Sequence, residues 1–63
     1  MTVKTLIRDY LDALERRFGA KARKETQVEY RGGSQVVLKR PGRHPQAVDV
    51  GSLRLMTERL QKA

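Results

Sequence analysis

Residues 27–39 read QVEYRGGSQVVLK, and the way this stretch folds back on itself decides the architecture. On both sides of Gly32-Gly33 the apolar residues take alternate positions, Val28 and Tyr30 before the glycines, Val36 and Leu38 after them. A period of two marks half-buried strands, because successive side chains of a strand point to opposite faces. A loop of the two glycines alone would set Tyr30 against Gln35 and Val28 against Val37, mixing polar and apolar residues on each side. A loop of Gly32-Gly33-Ser34 sets Tyr30 opposite Val36, Val28 opposite Leu38 and Arg31 opposite Gln35, which makes one face wholly apolar. A one-residue slip would destroy that segregation, so the three-residue loop is expected, with a glycine at a left-handed position. The other face then carries Gln27, Glu29, Arg31, Gln35, Val37 and Lys39.

Upstream of the hairpin, Val3, Leu6, Ile7, Tyr10, Leu11, Leu14 and Phe18 recur at spacings of three and four. This is the stripe of an amphipathic helix over residues 3–18. Thr2 is placed to cap its start and Gly19 to end it, and Asp12 with Arg16 forms a favourable pair four apart on the solvent side. Tyr10 belongs to the stripe and is expected in the core. Residues 20–26, AKARKET, carry Lys21, Arg23 and Lys24 without periodicity, as a helical turn or as a basic connector.

Downstream, Pro41-Gly42 signals a turn, and RPGRHPQ at 40–46 breaks the strand because its two prolines lack an amide donor. AVDV at 47–50 alternates again and predicts a short third strand. Gly51-Ser52 opens a second helix with Ser52 as its candidate cap, and Leu53, Met56 and Leu60 form its buried stripe. Leu55 lies about 200° round from Leu53, on the opposite side, as a candidate partner or dimer surface. The order is helix, hairpin, short strand, helix. It predicts an α+β fold: a single small two-layer domain over 1–63, with an antiparallel sheet of two or three strands and both helices on its apolar face. The polar face of the hairpin is left free.

A chain of 63 residues buries only about 60% of the surface its unfolded form exposes, so its stability is marginal, and a partner or a second copy would add to it. The absence of cysteine excludes disulfides, thiolate-bound zinc, iron–sulfur clusters and a thiol nucleophile, and it fits a reducing cytoplasm. No apolar run reaches the roughly 18 residues that span a bilayer, and the N-terminus lacks the apolar segment of a signal peptide, so a soluble cytoplasmic protein is expected. Fourteen Lys and Arg against seven Asp and Glu give a net charge of +7. So large an excess on so small a surface makes a polyanion the first partner to consider. With one Phe and two Tyr, stacking platforms for single strands are poorly supplied.

Three kinds of chemistry find little support. A glycine-rich loop cradles phosphate when its amides converge on a helix start, and RGGSQV leads into a strand without the required lysine. The one histidine, His44, lies between Arg43 and Pro45 with no carboxylate nearby in sequence, which argues against a metal site. No spacing ties His44 to Ser34 or Ser52 as a base beside a nucleophile. Asp9, Asp12 and Glu15 fall on the solvent side of the first helix, and Asp49 is solitary. No catalytic residue, metal or cofactor is therefore expected. The cations behave differently because the fold gathers them: Arg31 and Lys39 on the outward sheet face, Arg40 and Arg43 at the end of the ribbon, and Lys21, Arg23 and Lys24 as auxiliaries before it. Long cations spread over a ribbon and its loops suit phosphates, which position a protein without reading bases. Gln35, and Gln27 beside it, could reach base edges.

The motifs Gly33-Ser34-Gln35-Val36, Arg40-Pro41-Gly42-Arg43 and Gly51-Ser52-Leu53-Arg54, within residues 31–61, resemble the GSHH, HPGR and GTLR stretches of the HicA family of small toxin mRNA interferases. That resemblance implies a double-stranded-RNA-binding-like fold of helix, three strands and helix, in a toxin–antitoxin ribonuclease. The family's catalytic histidine would fall at Gln35, an amide that neither takes nor gives a proton at neutral pH, so fold and polyanion binding carry over and cleavage does not. In outline the chain is also similar to phage head-completion proteins of the gpW type, which makes an assembly module acting through oligomerisation or a small protein partner the alternative. The leading expectation is a non-catalytic DNA- or RNA-binding domain.

Overall fold

A computed structural model describes residues 2–62 of the chain. The elements run in the order α1 (Val3–Phe18), α2 (Ala20–Glu25), β1 (Gln27–Gly32), β2 (Gln35–Lys39), β3 (Gln46–Asp49) and α3 (Val50–Lys62). The strands form one antiparallel sheet in the order β1-β2-β3. Tyr10 and Leu14 of α1 and Leu53 of α3 meet Val36 and Leu38 of the central strand in a single buried cluster. The two longer helices therefore cover one sheet face, the α+β arrangement that the apolar periods predict. No helix among the described residues is long and apolar enough to cross a membrane.

α1 begins where expected: Thr2 is extended, and its side-chain oxygen accepts the Thr5 N–H at 3.3 Å. It stops at Gly19, whose φ of 99° favours glycine and whose N–H donates to the Glu15 carbonyl at 2.8 Å. The ψ of Gly19 is extended, at 169°, so the chain swings out and starts a new helix at once. Residues 20–25 are thus helical rather than a connector. The Asp12–Arg16 pair does not form; α2 folds back and gives Asp12 to Arg23 instead.

The hairpin pairs Val28 with Leu38 and Tyr30 with Val36, the register that segregates the faces. Its tip differs from the expected one. Gly32, not Arg31, stands opposite Gln35, and the extra residue is absorbed as a bulge between Tyr30 and Gly32. Gly32 and Gly33, with φ of 100° and 58°, supply the backbone this needs. The turn is thereby shortened to Gly33-Ser34, and the Ser34 carbonyl accepts the Val50 N–H at 2.8 Å, tying the hairpin tip to the start of α3. β3 lies one residue earlier than AVDV, since Val50 already belongs to α3. Ser52 is not the cap of α3: Asp49 accepts the Ser52 N–H at 2.7 Å, a cap of the kind that stabilises a helix by about 1 kcal/mol.

Two aromatic residues of the apolar stripes escape burial. Phe18 is 60% and Tyr30 51% exposed, because both lie beyond the buried cluster of Tyr10, Leu14, Val36, Leu38 and Leu53. Tyr30 instead donates its hydroxyl to the Gly33 carbonyl at 2.8 Å, steadying the turn. The molecule is flat, 30 × 25 × 16 Å, and exposes 4698 Å², where a folded monomer of its mass exposes about 4,100 Å².

Candidate nucleic-acid interface

The outward face of the sheet has no second layer. Strand alternation brings Glu29, Arg31 and Lys39 to this face, as the sequence predicts, but it also brings them to one another. Lys39 donates to a Glu29 oxygen at 3.2 Å, and the Arg31 guanidinium lies 3.6 Å from the other oxygen. Glu29 thus partly neutralises the two cations. Exposed pairs of this kind are each worth about 0–1 kcal/mol, so they leave both side chains available to a competing phosphate, while the carboxylate itself repels one. Gln35 is exposed at the start of β2, with Gly32 across from it on one side and Asp49 on the other.

Beyond Lys39 the chain turns through Pro41-Gly42, closed by the Arg43 N–H donating to the Arg40 carbonyl at 3.2 Å. Arg43 and His44 are exposed on this loop. Arg40 does not extend from the ribbon with them. One residue on from Lys39, it takes the helix side of the sheet, donates to Gln46 Oε1 at 3.1 Å and places its charge near Tyr10. Burial pushes the Tyr10 hydroxyl above its ordinary pKa and Arg40 pulls it part of the way back, so at neutral pH Tyr10 is an uncharged phenol.

The auxiliary cations of α2 divide in the same way. Arg23 is turned inward on Asp12 and Glu15, and its pKa is raised, chiefly by the hydrogen bond to Asp12. The two carboxylates that solvation alone would explain on α1 are therefore engaged in holding α2. Lys21 lies 3.9 Å from Glu25 across one helical turn, and Lys24 is exposed. Leu55 is 56% exposed on α3, as its position opposite Leu53 requires.

The acidic residues explain what remains. Asp12, Glu15, Glu25, Glu29 and Glu58 each face a cation, and Asp49 caps α3. Among the described residues Arg8, Arg16, Arg17, Arg40, Arg43 and Arg59 consequently have no carboxylate within 4.0 Å. Arg17 and Arg59 were not among the sequence candidates, although each immediately adjoins an apolar stripe residue, Phe18 or Leu60, which marks it as lying at a stripe's edge. With Arg40 they line one shallow groove between α1 and α3. No group of three or more His, Asp and Glu side chains among the described residues could hold a metal ion. Together these contacts split the expected basic patch: Arg31 and Lys39 around Glu29, Arg43 on the loop, Arg40 toward the helices, and Lys21 and Lys24 on α2. No protein-family model matches the chain, and no curated protein or solved structure matches it.

Proposed function

We propose that the chain is a small, non-catalytic nucleic-acid-binding domain of the cytoplasm that takes phosphates on the hairpin and the loop after it. Arg31, Lys39 and Arg43 are the main contacts in this reading, with Lys21 and Lys24 on α2 as auxiliaries; Arg40 leaves the set because it takes the helix side of the sheet. The observation that carries it is the commitment of the acidic residues: nearly all of them are engaged with a cation or a cap, so the net charge of +7 is expressed as uncompensated guanidinium and ammonium groups on an open surface. Such groups gain by displacing the counterions condensed on a nucleic acid, a gain that does not depend on sequence. Arg23 leaves the set because its guanidinium already has two carboxylates. Gln35 stays as an exposed amide beside the hairpin tip, with both a donor and an acceptor for a base edge.

Glu29 provides the test. In Glu29→Gln the two cations on either side of it are released and a repulsive charge is removed, so affinity for a short DNA or RNA duplex, read by fluorescence anisotropy at low salt, should rise about fivefold, or about 1 kcal/mol. Stability should change by no more than about 1 kcal/mol, the worth of exposed pairs. Amide-shift mapping of the same titrations should place the duplex on β1, β2 and the 40–45 loop. Unchanged or weaker binding by the Gln variant would remove the outward face from the interface.

A further inference from the structure

The groove between α1 and α3 calls for a different ligand. Its floor is apolar: Tyr10 and Leu14 from α1, and Met56 and Leu60 from α3, with pairs spaced four apart so that each helix contributes one short row. Phe18 stands at one end, mostly exposed, with the Arg17 guanidinium 5.6 Å from its ring centroid. Arg40 and Arg59 complete the rim, and no carboxylate lines the space, which encloses about 500 Å³. Arg17, Arg40 and Arg59 are also free of ion pairs with the described residues.

We propose that this groove is the docking site for an acidic amphipathic helix of a partner protein. The floor asks for apolar side chains at positions i, i+3 or i+4 and i+7, the pattern by which a helix fills a groove. The rim asks for carboxylates on either side of that stripe, which three arginines would hold by charge-assisted hydrogen bonds. A second copy of this chain fits poorly, since association would bring two molecules of charge +7 together and leave the arginines without counter-charges. A nucleic acid would satisfy the arginines and leave the aliphatic floor without a complement. The acidic helix is the one occupant that answers both features. It lies on the opposite side of the sheet from Glu29, Arg31 and Lys39, so this site stands apart from the phosphate surface.

The test uses the full chain and a synthetic helical peptide of about 15 residues, roughly 22 Å long, with a Leu and Phe stripe flanked by Glu. A scrambled peptide of the same composition and a version with Lys for Glu are the controls. The stripe peptide should shift the signals of Leu14, Phe18, Met56 and Leu60 and bind at least about tenfold more tightly than either control, a difference of about one power of ten in Kd. The double change Arg17→Glu and Arg59→Glu, with an unchanged amide spectrum confirming the fold, should weaken it by a further factor of about ten or more. Equal binding of the scrambled peptide, or of the charge-reversed variant, would overturn the proposal. So would groove signals that move with protein concentration alone, which would mean a second copy, or a single-stranded oligonucleotide that displaces the peptide from the groove.

Discussion

Leu53→Ala should leave the molecule largely unfolded near body temperature. Leu53 is wholly inaccessible to solvent and joins the helix layer to Val36 and Leu38 of the central strand. Truncating a buried leucine costs about 2–5 kcal/mol, part from lost transfer energy and part from the cavity left behind. A single core in a chain of this size supplies only about 3–5 kcal/mol in all. Each kcal/mol lowers the melting temperature of so small a domain by about 4–8 °C, so a drop of about 20 °C in a circular-dichroism melt is expected, or no cooperative transition at all. Leu55→Ala, on the exposed side of the same helix, should leave the melt within a few degrees of the parent. Similar melts for the two variants would mean that α3 does not rest on the sheet through Leu53.

The second large effect concerns binding. Changing Arg31, Lys39 and Arg43 together to Gln should weaken duplex binding by about a hundredfold, at about 1 kcal/mol for each charge-assisted contact. It should also flatten the salt dependence, since each lost phosphate contact lowers the slope by about one. The fold should survive, because none of the three lies in the core and the pairs to Glu29 are solvent-exposed. Arg23→Gln is the matching control. It has the chemistry and the charge change of any one of those substitutions made singly, but its guanidinium faces Asp12 and Glu15, so affinity should hold while the packing of α2 on α1 loosens. Loss of affinity in Arg23→Gln equal to that from any one of those substitutions would mean that only net charge matters.

The parts of this fold that were legible in the sequence are those set by a period. The stripe of residues 3–18 gives α1 to the residue, and the need to keep Val28, Tyr30, Val36 and Leu38 on one face gives the hairpin register. Features that depend on contacts between elements were not legible. Arg23 finds Asp12 across eleven residues only because Gly19 turns α2 back along α1, and no spacing rule encodes that turn. Asp49 looked solitary because its partner is a backbone N–H, invisible to a search for paired side chains. The hairpin tip carries a bulge and a bond from the Val50 N–H to the Ser34 carbonyl, sixteen residues apart in sequence, and alternation encodes neither. Phe18 and Tyr30 continue apolar stripes past the point where the opposing layer ends, so periodicity assigned them to a core that does not reach them.

For the candidate site the same distinction holds. Alternation correctly put Glu29, Arg31 and Lys39 on one face, but reading the cations alone overlooked that Glu29 lies between them. Alternation also separates Lys39 from Arg40, and the basic run KRPGR is in fact divided between the two sides of the sheet. The groove of Arg17, Arg40 and Arg59 draws its residues from three distant parts of the chain and appears only when α1 and α3 are packed.

The claim that this chain binds nucleic acid through phosphates is tested most directly by titrating it with a short duplex at 50 and 200 mM salt. Three phosphate contacts on B-DNA give a slope of about −2.7 in log affinity against log salt, so affinity should fall by about fortyfold across that range. Equal affinity at the two concentrations, or no binding at either, would contradict the account.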